Sequence, residues 1–191
     1  MRLFVGVELD DDVRRRAAAI ADAAERLLSD MLVVRWIAPE NLHITLWFLG
    51  EVAEDRVPAL SAALDRPFAL PSFTLRLAGV GAFPPSGVPR VLWLGIQDGA
   101  ESLANIHTEL AARLQPLEFL PERRPFSAHL TIGRVKSANP GVRPRDIRRR
   151  WTDLGPRRVS AGFRLSRCSA AGFRPAALLT NRWCEYHCSD T

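Results

Sequence analysis

Two of the chain's four histidines sit in copies of one short pattern, His43-Ile44-Thr45-Leu46 and His129-Leu130-Thr131-Ile132. Each copy reads His, apolar, Thr, apolar, and each lies inside an apolar run, LHITLWFL and FSAHLTIGRV. In an extended strand, residues i and i+2 point to the same face. His43 and Thr45 therefore share a face, as do His129 and Thr131, with apolar side chains turned the other way. If the two strands face each other, a cleft gains two imidazoles and two hydroxyls. That set suits acid–base cleavage of a phosphodiester. One neutral His accepts a proton from the nucleophile and one protonated His donates to the leaving oxygen. The Thr hydroxyls donate to non-bridging oxygens as charge builds there. This chemistry needs no metal or other cofactor, and none is expected.

A lone strand histidine is more often a packing residue than a catalyst; two in matching contexts carry the reading. His107 lacks the pattern and reads as structural, and His187 is assigned no role. Cys184-x2-His187-Cys188 lacks the spacing of a zinc finger or ribbon. With Cys168, the cysteines number three, which does not suggest a disulfide framework.

The elements that must position these residues alternate along the chain. Strands are expected at Leu3–Glu8, Val33–Ile37 and Leu42–Leu49, the last two separated by the turn signal Pro39-Glu40-Asn41. Further strands are expected at Phe73–Leu77 and Val91–Ile96, joined by the Gly/Pro-rich GVGAFPPSGVPR, and at Phe126–Val135, Val159–Ala170 and Leu178–Glu185. Helices are expected at Asp10–Leu28, where acids open the first turn, at Glu54–Leu64, at Ala100–Leu114 and at Pro144–Trp151. The order strand, helix, His-bearing strand occurs in both halves, which suggests an internal duplication around a central cleft. No composition break marks a linker, so residues 1–191 are expected to form one domain.

The apolar fraction of 47% and charged fraction of 25% are those of an ordinary globular protein. No apolar run is long enough to span a membrane. The start, MRLFVGVELDDD, reads as a first strand rather than a signal peptide, so a cytoplasmic location is expected. Net charge is +5 and the pI is near 10.0. Nearly all the positive charge is arginine, the better residue for bidentate phosphate contacts. It clusters late in the chain, at Arg123-Arg124, Arg134, Arg143, Arg145, Arg148-Arg149-Arg150 and Arg157-Arg158, which favours a polyanionic partner. Trp47 has the parity of His43 and is the aromatic expected to stack a terminal base. Trp36, Trp93, Trp151 and Trp183 are assigned to core or edge packing.

With both motifs in view, the chain resembles the 2H phosphoesterase superfamily. Within it, the chain resembles the bacterial and archaeal RNA 2′,3′-cyclic phosphodiesterases, also called 2′-5′ RNA ligases. The resemblance rests on MRLFVGVEL, VRWIAPENLHITLWFLGEV, GVGAFPPSGVPRVLWLGI and RPFSAHLTIGRV. It implies a bilobal α+β fold, with two antiparallel-rich sheets around a V-shaped cleft, helices outside and a pseudo-twofold. It implies hydrolysis of an RNA 2′,3′-cyclic phosphate end to a 2′-phosphate, with reverse 2′-5′ ligation as the same step run backwards. By position, His43 would donate to the departing 3′ oxygen and His129 would activate water; the residues alone give the pair but not the assignment. Thr45 and Thr131 would hold the phosphate. Arg134 falls where the family often has an arginine, yet strand parity puts it opposite His129; only a bulge, as at Gly133, would bring it to the cleft. Ala128 replaces the family's usual proline, and AAGFRPAALLTNRW lacks its usual Gly-Pro-x-Tyr-like pattern.

The expected partner is RNA with a cyclic phosphate end. A monomer with no membrane and no obligate protein partner is expected, because two lobes of one chain already build the site. Two other readings stand beside this one. The same chemistry could act on a small cyclic nucleotide, an ADP-ribose cyclic phosphate or a 2′-5′ oligonucleotide. A nucleotide- or RNA-binding module without turnover would not need both an acid and a base.

Overall fold

Strand β1 (Arg2–Glu8) begins the computed structural model, with Leu3, Val5 and Val7 turned into the hydrophobic core. The structure describes residues 1–158 except Ala69 and Ser72, together with the strands Ala161–Phe163 and Ala176–Thr180. Cys168, Trp183, Cys184, His187 and Cys188 lie outside the described residues, as does most of the C-terminal stretch that departs from the family pattern.

Asp10 caps α1 (Asp11–Leu28): its carboxylate accepts from the Val13 N–H at 3.0 Å, and Asp11 and Asp12 follow in the first turn. Val13, Ala17, Ile20, Ala24 and Leu28 recur at helical spacing and form its buried face. β2 (Leu32–Trp36), a short turn at Pro39–Asn41, β3 (His43–Glu51) and α2 (Val57–Leu64) complete the first half. The second half runs β4 (Leu75–Phe83), β5 (Val91–Asp98), α3 (Ala100–Leu114), β6 (His129–Ala138), α4 (Pro144–Arg158), β7 (Ala161–Phe163) and β8 (Ala176–Thr180).

The largest departure from the expected elements is β4, which continues through Gly79-Val80-Gly81-Ala82-Phe83, residues that read as a loop. The glycine at 81 makes room for a neighbour. A Cβ built there would lie 2.1 Å from the Trp93 indole, its cross-strand partner's side chain. α4 also extends beyond the expected Trp151, to Arg158.

All strand pairs are antiparallel, in the order β7-β4-β5-β6-β3-β1-β8, with β2 pairing β6. The expected pair of sheets is thus one continuous path with a narrow joint. β6 pairs with β5 along most of its length and with β2 over Gly133–Ala138, but meets β3 only at Ile44↔Leu130. The halves also exchange parts. α1 packs on α4, β2 and β6, and α4 packs on β4, while α3 packs with α2 and reaches β3. One hydrophobic cluster takes in Leu3, Ile44 and Leu60 from the first half and Leu94, Ile106, Leu130 and Trp151 from the second.

The basic α4 holds the fold together. Arg150 binds the Leu27 carbonyl at 3.2 Å and Asp30 at 2.6 Å. Arg148 binds the carbonyls of Pro84 and Gly87 at 2.6 and 3.0 Å, and Arg143 pairs with Asp146 at 2.7 Å. Three arginines of the charge cluster, Arg143, Arg148 and Arg150, are therefore engaged in intramolecular bonds.

Candidate active site

The joint between the sheet halves is the centre of the site. Ile44 and Leu130 are the residues between His and Thr in the two motifs, and they form the single β3–β6 pair. Both are fully buried. Their neighbours along each strand must therefore point the opposite way, to the common open face. The antiparallel register sets His43 across from Thr131 and Thr45 across from His129.

Both rings are oriented in the same way. His43 Nδ1 lies 2.7 Å from the Asn41 carbonyl, and His129 Nδ1 lies 2.7 Å from the Ser127 carbonyl. A carbonyl only accepts, so Nδ1 carries the proton in both neutral rings. This leaves each Nε2 lone pair for proton transfer. Burial pushes both pKa values below the usual 6.5; the carbonyl hydrogen bond opposes this, and the positive charge of Arg134 adds to the lowering. The neutral form of both rings is therefore favoured. An anion bound between the rings would favour the imidazolium form and offset the charge of Arg134.

Arg134 reaches this position through a bulge. Thr131 pairs with Trp93 and Gly133 with Leu92, leaving Ile132 as the extra residue. Ile132 and Gly133 both turn inward, and Arg134, paired with Val91, returns to the face of His129 and Thr131. A glycine fits at 133 because a Cβ there would lie 2.9 Å from Val34 and 3.0 Å from Trp36.

β3 repeats the device. Thr45 pairs with Gly6 and Trp47 with Val5, leaving Leu46 extra. Simple alternation places Trp47 beside His43; the bulge instead turns it into the core. It is 4% exposed, and its ring lies 4.9 Å from that of His107. His107 in turn stacks on Phe126 at 4.3 Å, so this histidine is a packing residue. The aromatic that emerges on the open face is Phe48, 51% exposed. It pairs with Phe4, whose ring stacks on His43 at 4.4 Å. Gly6 keeps that stack close, since its Cβ position lies 3.4 Å from Phe4 and 3.5 Å from His43.

Around His129 the walls are Phe83, edge-on at 5.1 Å, and Trp93 at 5.9 Å. Trp93 thus lines the cleft, which corrects its assignment to core or edge packing. Trp151 does pack in the core, its indole N–H donating to the Gly81 carbonyl at 2.9 Å. Sequence reasoning does not single out Phe4, Phe48, Phe83 or Trp93 as cleft residues. The one available signal is Gly81, a small residue inside a strand-like run next to large aromatics.

A family model adds the deciding observation. The LigT-like phosphoesterase model matches the chain twice, at residues 7–93 and 94–175, once across each motif. The chain belongs to the LigT-like phosphoesterase family. Among the relatives of this 2H phosphoesterase is an RNA 2′,3′-cyclic phosphodiesterase of Archaeoglobus fulgidus. It is 41% identical over 152 residues, which cover 80% of this chain and 81% of that protein. The enzyme of the same name from Thermotoga maritima is 35% identical over 137 residues, 71% of each chain. The fold of E. coli LigT in its apo form superposes with a TM-score of 0.58 at 31% identity, covering 75% of this chain and 77% of that one. E. coli LigT has also been crystallised with 3′-AMP.

Proposed function

We propose that this LigT-like phosphoesterase hydrolyses RNA 2′,3′-cyclic phosphate ends to 2′-phosphates by two-histidine acid–base catalysis without a metal. The observation that carries this reading is the Ile44↔Leu130 register, which joins two imidazoles and two hydroxyls in one cleft. The curated relatives named RNA 2′,3′-cyclic phosphodiesterase support the substrate. His129 Nε2 takes the proton of a water that attacks phosphorus. The bond from phosphorus to the 3′ oxygen breaks, and His43 Nε2 gives that oxygen its proton. Thr45, Thr131 and Arg134 bind the non-bridging oxygens, where negative charge grows. Phe48, rather than Trp47, offers its face to the terminal base. Reversal with an RNA hydroxyl in place of water makes a 2′-5′ linkage.

Both halves of the site belong to one chain, which supports a single domain acting as a monomer with no obligate protein partner. Among the described residues, no helix is long and apolar enough to cross a membrane. A cytoplasmic location fits an RNA substrate.

The test is turnover of a short RNA ending in a 2′,3′-cyclic phosphate, in EDTA, by the wild type, His43→Ala and His129→Ala. The expected result is conversion to the 2′-phosphate by the wild type alone. A 3′-phosphate product would reverse the acid and base assignment, and activity restored only by added metal would overturn the metal-free mechanism.

A further inference from the structure

We propose that His107 is a positioning residue, which holds the Ser127 carbonyl against His129 through a stack of three rings, Trp47, His107 and Phe126. The inference rests on the acid–base reading above and adds a residue that acts on the base without touching substrate. The two motif rings are oriented alike, yet the carbonyls that orient them are held differently. Asn41 closes the turn Pro39–Asn41: its N–H donates to the Ala38 carbonyl at 2.9 Å, and the Leu42 N–H donates to the Pro39 carbonyl at 3.2 Å. The same turn packs on α1. The Asn41 carbonyl is thus fixed by local backbone bonds. Residues 120–128 lead irregularly into β6, and among the described residues they make no backbone–backbone hydrogen bond. Side chains must fix the Ser127 carbonyl instead.

Ser127 itself is exposed, and its neighbours Phe126 and Ala128 pack against the core. Ala128 offers only a methyl group, so the Phe126 ring supplies most of the contact. That ring lies on His107, with centroids 4.3 Å apart and planes 14° from parallel. His107 lies in turn near Trp47, at 4.9 Å and 33°. Trp47 is buried in β3, and α3, which carries His107, packs on both β3 and β5. The stack therefore rests on both halves of the sheet. Burial lowers the His107 pKa, which favours a neutral ring that brings no charge toward His129.

The consequence for His129 is chemical. The Ser127 carbonyl, 2.7 Å from Nδ1, holds the proton of the neutral ring on that nitrogen and leaves the lone pair on Nε2. When the carbonyl drifts, the proton settles on Nε2 in part of the molecules. A ring in that tautomer accepts no proton at Nε2 and cannot serve as the base.

The experiment compares the wild type with His107→Ala, Phe126→Leu and His107→Phe. It reads turnover of the cyclic RNA end and, by nitrogen NMR of the imidazoles, the tautomer of each histidine. His107→Ala and Phe126→Leu should each lower kcat roughly tenfold and change KM by less than about twofold. Both should move His129 toward the Nε2–H tautomer while His43, whose carbonyl sits in a bonded turn, keeps its own. His107→Phe restores a ring to the stack and should recover most of the turnover. A ring that served packing alone would lower the melting temperature of His107→Ala and leave kcat and both tautomers unchanged; that result overturns the proposal. So does a His107→Phe variant as slow as His107→Ala. Should His107→Ala fail to fold, Phe126→Leu, which keeps an apolar side chain, decides by the same readouts. Failure of the wild type to turn over the RNA would overturn the catalytic reading instead. The His129 tautomer still judges the stack in that case: no shift in the variants removes it.

Discussion

β3 and β6 carry the same four-residue pattern, the same 2.7 Å ring-to-carbonyl hydrogen bond and the same bulge, at Leu46 in one and Ile132 in the other. Beyond the bulge they part. The residue returned to the cleft is Phe48 in β3 and Arg134 in β6; the residue turned inward is Trp47 in β3 and Gly133 in β6. The shared portion places identical acid–base groups about a pseudo-twofold. The divergent portion makes one wall aromatic, with Phe4 and Phe48, and the other cationic, with Arg134. A nucleotide has the same division, a flat base and a charged phosphate. On the proposed mechanism, the comparison teaches that chemistry sits in the symmetric part of this site and substrate orientation in the asymmetric part.

The largest test of that division strikes the symmetric groups. His43→Ala and His129→Ala should each lower kcat by about 10³-fold or more, with KM little changed, in single-turnover and steady-state assays on the cyclic RNA end. If one of the two retained most activity, the halves would not be chemically equivalent.

Next comes the cationic wall. Arg134→Gln should reduce kcat/KM by about 10²-fold. The same change should move the pH profile. Arg134 lowers both histidine pKa values, so its removal raises both. The rising limb, where the base loses its proton, and the falling limb, where the acid loses its own, should both shift to higher pH. The wild-type optimum of kcat/KM should lie on the acid side of 6.5, since both rings titrate below that value and the active form holds one proton between them. An unmoved profile would mean that Arg134 does not face the rings.

The aromatic wall should give a smaller effect of a different kind. Phe48→Ala should raise KM about tenfold with kcat preserved, in line with stacking worth roughly 1–3 kcal/mol per base. Trp47→Ala should do the reverse, lowering the melting temperature through a loss of about 3–5 kcal/mol while the folded fraction keeps its KM. The smallest expected change is Thr45→Ser, which keeps the hydroxyl and should stay within a few-fold of wild-type activity, whereas Thr45→Val removes the donor.

The shared faces of His43/Thr45 and His129/Thr131 are legible in the sequence because strand alternation holds within each motif and needs no long-range knowledge. Helix α1 is legible for similar local reasons, with acids at its start and an alanine-rich run to Leu28. Alternation fails at the bulges. A bulge depends on what lies across the ladder, and Val5 opposite Trp47 or Leu92 opposite Gly133 cannot be read from one strand. Gly133 gives a hint for Arg134, because glycine in a strand marks close approach. Nothing comparable marks Leu46, so the sequence favours Trp47 over Phe48. The strand through Gly79–Phe83 escapes sequence reasoning because glycine is unfavourable in strands by local propensity, while its use here is to seat a partner's indole.

The Ile44↔Leu130 joint has one further consequence. Each half provides one titrating ring and one hydroxyl to the common face, and each depends on the other for β2, α1 or α3 as a packing partner. Neither half is a weaker version of the whole. Cutting the chain between β3 and β4 would not leave two slow enzymes but two inert fragments, and any activity they showed when mixed would be second order in fragment concentration at limiting dilution. A duplicated ancestor of this arrangement would therefore have had to work as a pair from the start.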